Sequence, residues 1–339
     1  MKNELTKYFN KNTLRQLNGS SCLVTGGSGM IGREVVRLLS LAGAKVTSVS
    51  LDKIKTQTNV KFIYGDLTDF NLCKKLCKKK DYLFHVAGIK GSIVVTKKKP
   101  ASFFVPLLLM NTNILEASRL NRVKNVVYTS SIGAYHSANI FREKNIRYDT
   151  LPMDEYPGWA KRMAELQILA YRNQFNNQKL SIVRPSNVYG PGDNFDEKNA
   201  MVIPSLISKI FKQNMNKKII KIWGDGSAKR DFIFSTDCAV GIINACFYGY
   251  NSGPINLGSG IATKISNLIS ELNKIQKFNY IYDKTKPSGY PIRVMDMRLA
   301  KKKIKYKNHH SLKKGLNITY DWFVKNQIEF KKKKNYFNE

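Results

Sequence analysis

The hydrophobic positions of the chain form short apolar runs that alternate with longer segments of helical spacing. Apolar or β-branched runs predict strands at 22–24, 44–50, 59–67, 82–87, 124–131 and 180–184. Apolar residues that recur every three to four positions predict helices over 34–39, 69–79, 106–120 and 159–175. Strands and helices that alternate in this way predict right-handed crossovers and an α/β fold built on a doubly wound parallel sheet.

After Pro185 the alternation gives way to loops and short elements, with helices expected over 202–212 and near 265–275. This change divides the chain into an N-terminal extension, a sheet domain, a smaller lobe and a basic tail. Their expected bounds are 1–19 for the extension, 20–188 completed by about 232–258 for the sheet domain, 189–231 with 259–330 for the lobe, and 331–339 for the tail. A cleft between two lobes is the usual place for a ligand site.

Three glycines stand between the first strand and the first helix of the sheet domain. Gly26, Gly29 and Gly32 have the spacing G-x-x-G-x-x-G, and Met30 and Ile31, which lie between the last two glycines, are counted as part of the same binding site. Glycines at such a turn let the main chain approach a pyrophosphate, and the helix N-terminus offers N–H groups to its oxygens. The pattern therefore predicts a Rossmann-type dinucleotide site.

The composition of the chain bears on which kinds of partner, compartment and metal site to expect. The formal net charge is +33, but lysine runs are spread along the whole chain, which favours a solvated basic surface over a nucleic-acid site. The N-terminus is too polar for a signal peptide and no apolar run approaches the roughly 20 residues that span a bilayer, so we expect a cytoplasmic protein without a membrane segment. Five scattered cysteines indicate reduced thiols, and no metal site is expected.

Seven segments of the chain together resemble the extended short-chain dehydrogenase/reductases that act on nucleotide sugars, the NAD-dependent epimerase/dehydratase family. They are TGGSGMIG (25–32), GDLTD (65–69), HVAG (85–88), TSSIGAY (129–135), WAKRMAE (159–165), RPSNVYGPGDNF (184–195) and RDFIF (230–234). The resemblance covers about 20–324, and within the family the second half is most similar to the GDP-L-fucose synthases. It implies an NAD(P)-dependent oxidoreductase or epimerase of nucleotide sugars.

The resemblance assigns roles to individual residues. It implies that Asp66 and Leu67 contact the adenine and that Ala87 and Gly88 line the cofactor groove. It places Ser131 beside the nicotinamide. Lys161 should hydrogen-bond the nicotinamide ribose, and its charge would lower the pKa of a nearby catalytic hydroxyl, which eases proton transfer to or from a sugar oxygen.

The catalytic tyrosine is the first departure from the family pattern. The family places it four residues before the lysine, where this chain has Pro157, and the nearest tyrosine is Tyr156. A shift of one residue rotates a helical side chain by about 100 degrees, but proline is acceptable in a first turn, so Tyr156 could lie just outside the helix. Tyr156 is therefore the candidate acid, and Ser131, water or Tyr135 are the alternatives.

The acid and base of the synthases' epimerisation are the second departure. The resemblance places their cysteine at Gly133 and their histidine at Met201, and neither replacement can move a proton. The Asp-Glu pair of the dehydratases is also missing. Reduction of a 4-keto sugar or 4-epimerisation needs only hydride transfer and one proton relay, so these reactions are compatible with the sequence.

The end of the second strand bears on the choice of cofactor. NAD-specific members have an acid there, whereas this chain has Ser50; Asp52 follows, and Lys53 and Lys55 could accept a 2′-phosphate. The sequence therefore slightly favours NADP(H) over NAD(H).

For the nucleotide sugar, the resemblance points to Asn187 and Arg230 at the diphosphate or nucleoside and to Lys286 in the segment that closes over it. A GDP-sugar is favoured, and a homodimer through the helices at 106–120 and 159–175 is implied by the resemblance alone. A 4-epimerase or other oxidoreductase of a UDP- or dTDP-sugar is the alternative enzyme. A degenerate member that binds a dinucleotide or nucleotide sugar without turnover is the alternative from another class.

Overall fold

The larger domain of the molecule is built on one parallel sheet of seven strands, in the order β12-β7-β5-β4-β1-β2-β3. The computed structural model describes residues 2–89, 91, 93–175, 178–216, 219–286 and 288–331. The strands in these residues are β1 Ser21–Thr25, β2 Lys45–Ser50, β3 Lys61–Tyr64, β4 Tyr82–His85, β5 Asn125–Thr129, β6 Ile140–Phe141, β7 Lys179–Pro185, β8 Asn187–Tyr189, β9 Ile220–Trp223, β10 Lys229–Arg230, β11 Phe232–Phe234, β12 Ile255–Leu257, β13 Thr263–Lys264, β14 Tyr280–Asp283 and β15 Ile292–Met295.

The helices cover both faces of this sheet and build the second lobe. They are α1 Lys2–Leu5, α2 Lys11–Leu17, α3 Met30–Leu41, α4 Phe70–Cys77, α5 Ile93–Lys98, α6 Pro100–Leu120, α7 Glu155–Gln174, α8 Val202–Asn216, α9 Ser235–Tyr248, α10 Ile265–Ile275, α11 Arg298–Ile304, α12 Leu312–Lys325 and α13 Gln327–Lys331. The predicted doubly wound α/β fold is confirmed.

Two apolar cores lie on opposite faces of the sheet. One joins the sheet to α3 and α9 through residues such as Val36 and Ile243, and the other joins it to α4, α6 and α7 through residues such as Leu107 and Ala164. Strands buried on both faces consist of near-continuous apolar residues, which is why the sequence pattern identified them.

A third core belongs to the smaller lobe, which combines β8, β9, β11 and β14 with α8, α10 and α12. The buried carboxylate of Asp231 fastens this lobe to the sheet domain. It accepts hydrogen bonds from the backbone N–H groups of Ser259, Gly260 and Met295 at 2.7, 3.0 and 3.1 Å.

Besides the helix predicted over 34–39, which begins at Met30, two predicted helices begin earlier in the structure. The helix predicted from Pro106 begins at Pro100 and keeps Pro106 inside it, because Phe103 in the added turn is buried in the core. The helix predicted from Trp159 begins at Glu155, so Tyr156 lies within the first turn of α7 rather than outside it. This second difference decides where Tyr156 points.

Candidate active site

A cleft of about 1310 Å³ opens at the carboxyl ends of the sheet strands and reaches into the smaller lobe. Its walls come from the glycine-rich turn after β1, from the residues that follow β2, β4 and β5, from the start of α7, and from α8 and β15. Ligands of open α/β sheets bind in this position, because the loops that follow neighbouring strands converge there.

The glycine-rich turn forms one end of the cleft. Gly29 caps α3 without any side-chain hydrogen bond, and Gly29, Met30 and Ile31 line the cleft. A Cβ at Gly32 would lie 2.0 Å from the Gly26 carbonyl oxygen, so glycine is needed there for the helix to start this close to the turn. The exposed helix N-terminus and the missing side chains fit the pyrophosphate of a dinucleotide.

The residues after β2 meet this turn. The Ser28 N–H donates to the Ser50 hydroxyl at 3.1 Å, and the Ser28 hydroxyl donates to the Asp52 carboxylate at 3.1 Å. Both Ser50 and Asp52 line the cleft. The structure therefore places the acid Asp52 at the cleft, two residues after Ser50 at the end of β2.

The other predicted cofactor residues also line the cleft. Asp66 and Leu67 follow β3, and the Asp66 carboxylate accepts the Thr68 N–H at 2.9 Å. Ala87 and Gly88 follow β4, where the Ala87 N–H donates to the Thr25 hydroxyl at 3.1 Å. The structure thus brings these residues to one cleft with the glycine-rich turn and Ser50, whereas Lys53 and Lys55 are absent from the described lining.

Ser131 and Lys161 face the middle of the cleft. The Ser131 hydroxyl accepts the Gly133 N–H at 3.0 Å, which orients it and leaves its own proton able to donate. The Lys161 ammonium donates to the Thr129 carbonyl at 2.8 Å. Burial lowers the pKa of Lys161 to about 8, so the site holds an ammonium group that releases its proton more easily than an ordinary lysine.

Tyr156 is absent from the described lining of this cleft. Its ring packs edge-on against Phe104 with centroids 5.9 Å apart, and the residue is 48% exposed. Tyr156 and Lys161 are five positions apart on α7, so their side chains point about 140 degrees apart around the helix axis. Pro157, four residues before Lys161, lines the cleft instead. Tyr135 is no substitute, because its hydroxyl is buried and donates to Asn256 at 2.8 Å.

Asp154 and Arg293 line the cleft although the sequence reasoning did not select them. Asp154 precedes α7 and approaches Gly133, and Arg293 lies on β15 directly beside Arg230 on β10. Asp154 stands seven residues before Lys161, but it lies outside α7, so helical spacing does not determine where its side chain lies relative to Lys161. The signal for Arg293 was its place in the second half of the chain, whose sequence is most similar to the GDP-L-fucose synthases.

Of the three residues predicted to bind the nucleotide sugar, one lines the cleft and two do not. Asn187 lines the cleft, and its side-chain amide donates to the Asp231 carbonyl at 3.0 Å. Arg230 instead donates to the backbone carbonyls of Lys229 and Tyr290 at 2.8 and 2.5 Å, and burial lowers its pKa to about 10. Lys286 is exposed, and neither Arg230 nor Lys286 belongs to the described cleft lining.

The cysteines, possible metal ligands, membrane segments and the basic tail were also considered from the sequence. All five cysteines are buried and reduced, and burial raises the pKa of Cys22, Cys73 and Cys77 to about 12. Among the described residues no three His, Cys, Asp or Glu side chains cluster as metal ligands, and no helix there has the length and apolarity to cross a membrane. The basic tail predicted over 331–339 lies outside the described residues apart from Lys331 at the end of α13.

Comparisons with known proteins identify the family of this chain. The model of the NAD dependent epimerase/dehydratase family matches residues 22–258. The GDP-L-fucose synthase of Sinorhizobium fredii is 29% identical over 319 residues, which cover 91% of this chain and 97% of the relative. The GDP-L-fucose synthase of Escherichia coli is 26% identical and covers 91% of this chain and 98% of the relative. A solved epimerase from Methanothermobacter thermautotrophicus superposes with a TM-score of 0.84 at 25% identity, covering 97% of this chain and 98% of that one.

The family match includes the glycine-rich turn, Ser131 and Lys161, and it extends through β12. The resemblance read from the sequence motifs is therefore confirmed, as is the expectation of an enzyme. The chain belongs to the NAD dependent epimerase/dehydratase family and is an extended short-chain dehydrogenase/reductase.

Proposed function

We propose that the protein is an NAD(P)-dependent nucleotide-sugar oxidoreductase that reduces a 4-keto sugar, with a GDP-sugar as its substrate. The observation that carries the proposal is the convergence of the glycine-rich turn, Ser131 and Lys161 on one cleft. The dinucleotide, when bound, supplies the hydride for carbon 4. The names of the relatives from S. fredii and E. coli support the choice of a GDP-sugar.

Different residues along the cleft bind different parts of the cofactor and the substrate. The N-terminus of α3 holds the pyrophosphate, Lys161 holds the nicotinamide ribose, and Ser131 donates a hydrogen bond to the reacting sugar oxygen. Arg293 lies on the cleft wall, where a planar guanidinium suits the oxygens of a diphosphate. Asn187 stays a candidate contact of the nucleotide, whereas the roles predicted for Arg230 and Lys286 would require them to turn toward the cleft.

The test offers the protein a GDP-4-keto-6-deoxyhexose with reduced cofactor in heavy water. We expect the reduced nicotinamide to be consumed and no deuterium to appear at sugar carbons 3 and 5, because Gly133 and Met201, which line the cleft, have no group of their own that can move a proton. Deuterium at carbons 3 and 5 at the rate of turnover would show an epimerising reductase. Turnover of UDP- or dTDP-sugars alone would establish the 4-epimerase alternative.

Binding without turnover is the second candidate function, and the position of Tyr156 favours it. A family member whose tyrosine points out of the cleft has lost its expected acid. Nucleotide released from the purified protein and identified by mass, together with inactivity toward every nucleotide sugar tried, would establish a binding protein.

For the cofactor, Asp52 weighs against the NADP(H) preference suggested by the sequence. Its carboxylate lines the cleft beside Ser28 and would repel a 2′-phosphate, whereas Lys53 lies over the Tyr64 ring at 5.1 Å and is absent from the described cleft lining. We therefore propose that NAD(H) binds more tightly.

Calorimetric titration of both cofactors tests this preference. Asp52→Asn should improve NADPH binding relative to NADH by about tenfold, or about 1.4 kcal/mol, because the repulsion is removed. Lys53→Ala is the matched control and should leave the ratio unchanged. A parent protein that binds NADPH more tightly, and loses this in Lys53→Ala, would restore the prediction from sequence.

A homodimer through α6 and α7 remains a proposal. Apolar side chains on both helices are exposed, namely Val105 and Leu109 on α6 at 50% and 46% and Met163 and Leu166 on α7 at 38% each. Sedimentation of the parent and of Leu109→Glu would test whether this face buries a second copy.

A further inference from the structure

The carboxyl group of Asp154 occupies the space in which a side chain at position 133 would project. A Cβ built on Gly133 would lie 2.0 Å from Asp154 Oδ2 and 2.5 Å from its Cγ. Any residue other than glycine at 133 would therefore displace this carboxyl. Gly133 does not simply leave a gap in the wall of the cleft, because a titratable group from another segment fills it.

The backbone holds Asp154 in this position. The Asp154 N–H donates to the Gly133 carbonyl at 3.2 Å, and the Met153 N–H donates to the Tyr135 carbonyl at 2.6 Å. The next residue, Glu155, has a φ of 43°, in the left-handed region that a residue with a side chain enters at a cost of about 1 kcal/mol or more. This turn sends the Asp154 side chain into the cleft and the Tyr156 side chain out of it.

The surroundings of the carboxyl favour its neutral form. Asp154 lines the cleft and is exposed there, and desolvation by the surrounding protein raises the pKa of its carboxyl group. Two charged groups act on it from neighbouring elements: Arg293 on β15 opposes the rise, and Glu155 on α7 adds to it. A carboxyl group with a raised pKa keeps its proton to higher pH than an ordinary aspartate does, which suits a group that must give a proton away.

We propose that Asp154 is the general acid that protonates the sugar oxygen in this cleft, in place of the displaced Tyr156. The inference rests on the proposed function, because it names the proton donor of that reduction. Among the described residues that line the cleft near Ser131, Asp154 is placed by backbone hydrogen bonds to the same turn that Ser131 caps. Ser131 and Asp154 can therefore approach one sugar from the same wall.

The proton and electron balance of the step is complete with these groups. A hydride from the reduced dinucleotide adds to carbon 4, the C=O bond becomes a C–O single bond, and the Asp154 O–H bond breaks as its proton passes to the oxygen. The products are the 4-hydroxyl sugar, the oxidised dinucleotide and the Asp154 carboxylate, which regains a proton from water. Lys161 stabilises the negative charge that develops on the way.

Asp154→Asn tests the proposal because it keeps the shape and removes the acidic proton. We expect kcat to fall by about 100-fold or more, with NADH affinity unchanged within about twofold. Asp149→Asn is the matched control, since Asp149 is an exposed aspartate paired with Arg147 in the segment that leads to α7. Tyr156→Phe is measured alongside as the competing acid.

Two further measurements separate an acid from a merely structural aspartate. The kcat of the parent should fall as pH rises through the pKa of Asp154, and this limb should be missing in the residual activity of Asp154→Asn. Without any substrate, the infrared difference between parent and Asp154→Asn should contain a protonated-carboxyl band that persists above the pH at which ordinary aspartates ionise.

The outcomes are distinct. Full activity of Asp154→Asn, or loss confined to Tyr156→Phe, overturns the proposal while the proposed function stands. Deuterium exchange at sugar carbons 3 and 5 that disappears in Asp154→Asn also overturns it, because the carboxyl would then act on carbon. A parent that reduces no nucleotide 4-keto sugar overturns the proposed function itself.

Discussion

Lys161 serves the site but lowers the stability of the folded protein. Its ammonium group is held against the Thr129 carbonyl on a largely enclosed wall of the cleft. Burial disfavours the charged form, so its pKa in the folded protein is about 8 instead of 10.5. The buried ammonium group therefore destabilises the folded state below about pH 8. Between about pH 8 and 10.5 the unfolded chain binds more protons at this lysine than the folded protein does, so this destabilisation decreases as pH rises.

Lys161→Met should separate this cost from the function. At pH 7 we expect the variant to be more stable by about 1 to 3 kcal/mol in urea unfolding, because an apolar side chain replaces a desolvated charge. The difference should shrink as pH rises between 8 and 10.5. The same variant should lose cofactor affinity and turnover, and unaltered turnover would remove Lys161 from the site.

At the scale of elements, a buried ion pair positions α7 against the sheet. The Glu165 carboxylate on α7 accepts hydrogen bonds from Arg184 Nε on β7 at 2.9 Å and from the Ser130 hydroxyl after β5 at 2.5 Å. The Tyr148 hydroxyl donates to it at 2.9 Å. Because α7 also carries Lys161 and begins beside Asp154, this network fixes where both groups enter the cleft.

Glu165→Gln should therefore destabilise the protein far more than loss of a surface pair. It leaves Arg184 as a buried charge without a counter-charge, which costs about 3 to 5 kcal/mol. Glu116→Gln is the control, because its pairing with Arg119 on α6 is partly exposed and should cost about 1 kcal/mol or less. Equal losses in chemical unfolding of the two variants would contradict this account.

The turn between β1 and α3 offers a second test at this scale. Gly29→Val should abolish dinucleotide binding while the protein stays folded, because Gly29 has an ordinary φ of −72° and its side chain would fill the space beside the helix N-terminus. Gly32→Ala should instead reduce stability, because its Cβ would strike the Gly26 carbonyl. Undiminished cofactor affinity of Gly29→Val by calorimetry would refute the predicted pyrophosphate site.

The whole molecule adds an electrostatic field to this site. The net charge of +33 surrounds a cleft whose edge includes Lys97, Lys198 and Lys212. A nucleotide diphosphate is an anion, and a field of opposite sign raises its rate of encounter with the cleft. Salt screens this attraction over about 8 Å at physiological ionic strength.

We expect kcat/KM for the nucleotide sugar to fall as salt rises, with kcat nearly constant, because salt acts on encounter and not on proton transfer. The double variant Lys198→Ala, Lys212→Ala should flatten this dependence. Lys302→Ala with Lys303→Ala on α11 is the control, since these lysines are exposed and absent from the described cleft lining. A salt dependence that is equal in all three proteins would assign the effect to the net charge alone.

The sequence by itself determined six of the seven strands of the sheet, the glycine-rich turn and the residues after β3, β4 and β5. These features depend on local patterns: apolar runs for buried strands, three glycines at a strand-to-helix turn, and motifs that follow strand ends. Ser131 and Lys161 were found through the family resemblance, because each belongs to a contiguous motif beside an element that the pattern predicts.

Only the tertiary structure decided which groups enter the cleft at the start of α7 and near the diphosphate. The direction of Tyr156 depends on the left-handed turn at Glu155, and that of Asp154 depends on the space left by Gly133, some twenty residues earlier in the chain. Arg230 and Arg293 are side-by-side partners on β10 and β15, and only the pairing of these strands determines which of the two lines the cleft. Contacts between distant segments set these directions, and a one-dimensional pattern contains no information about them.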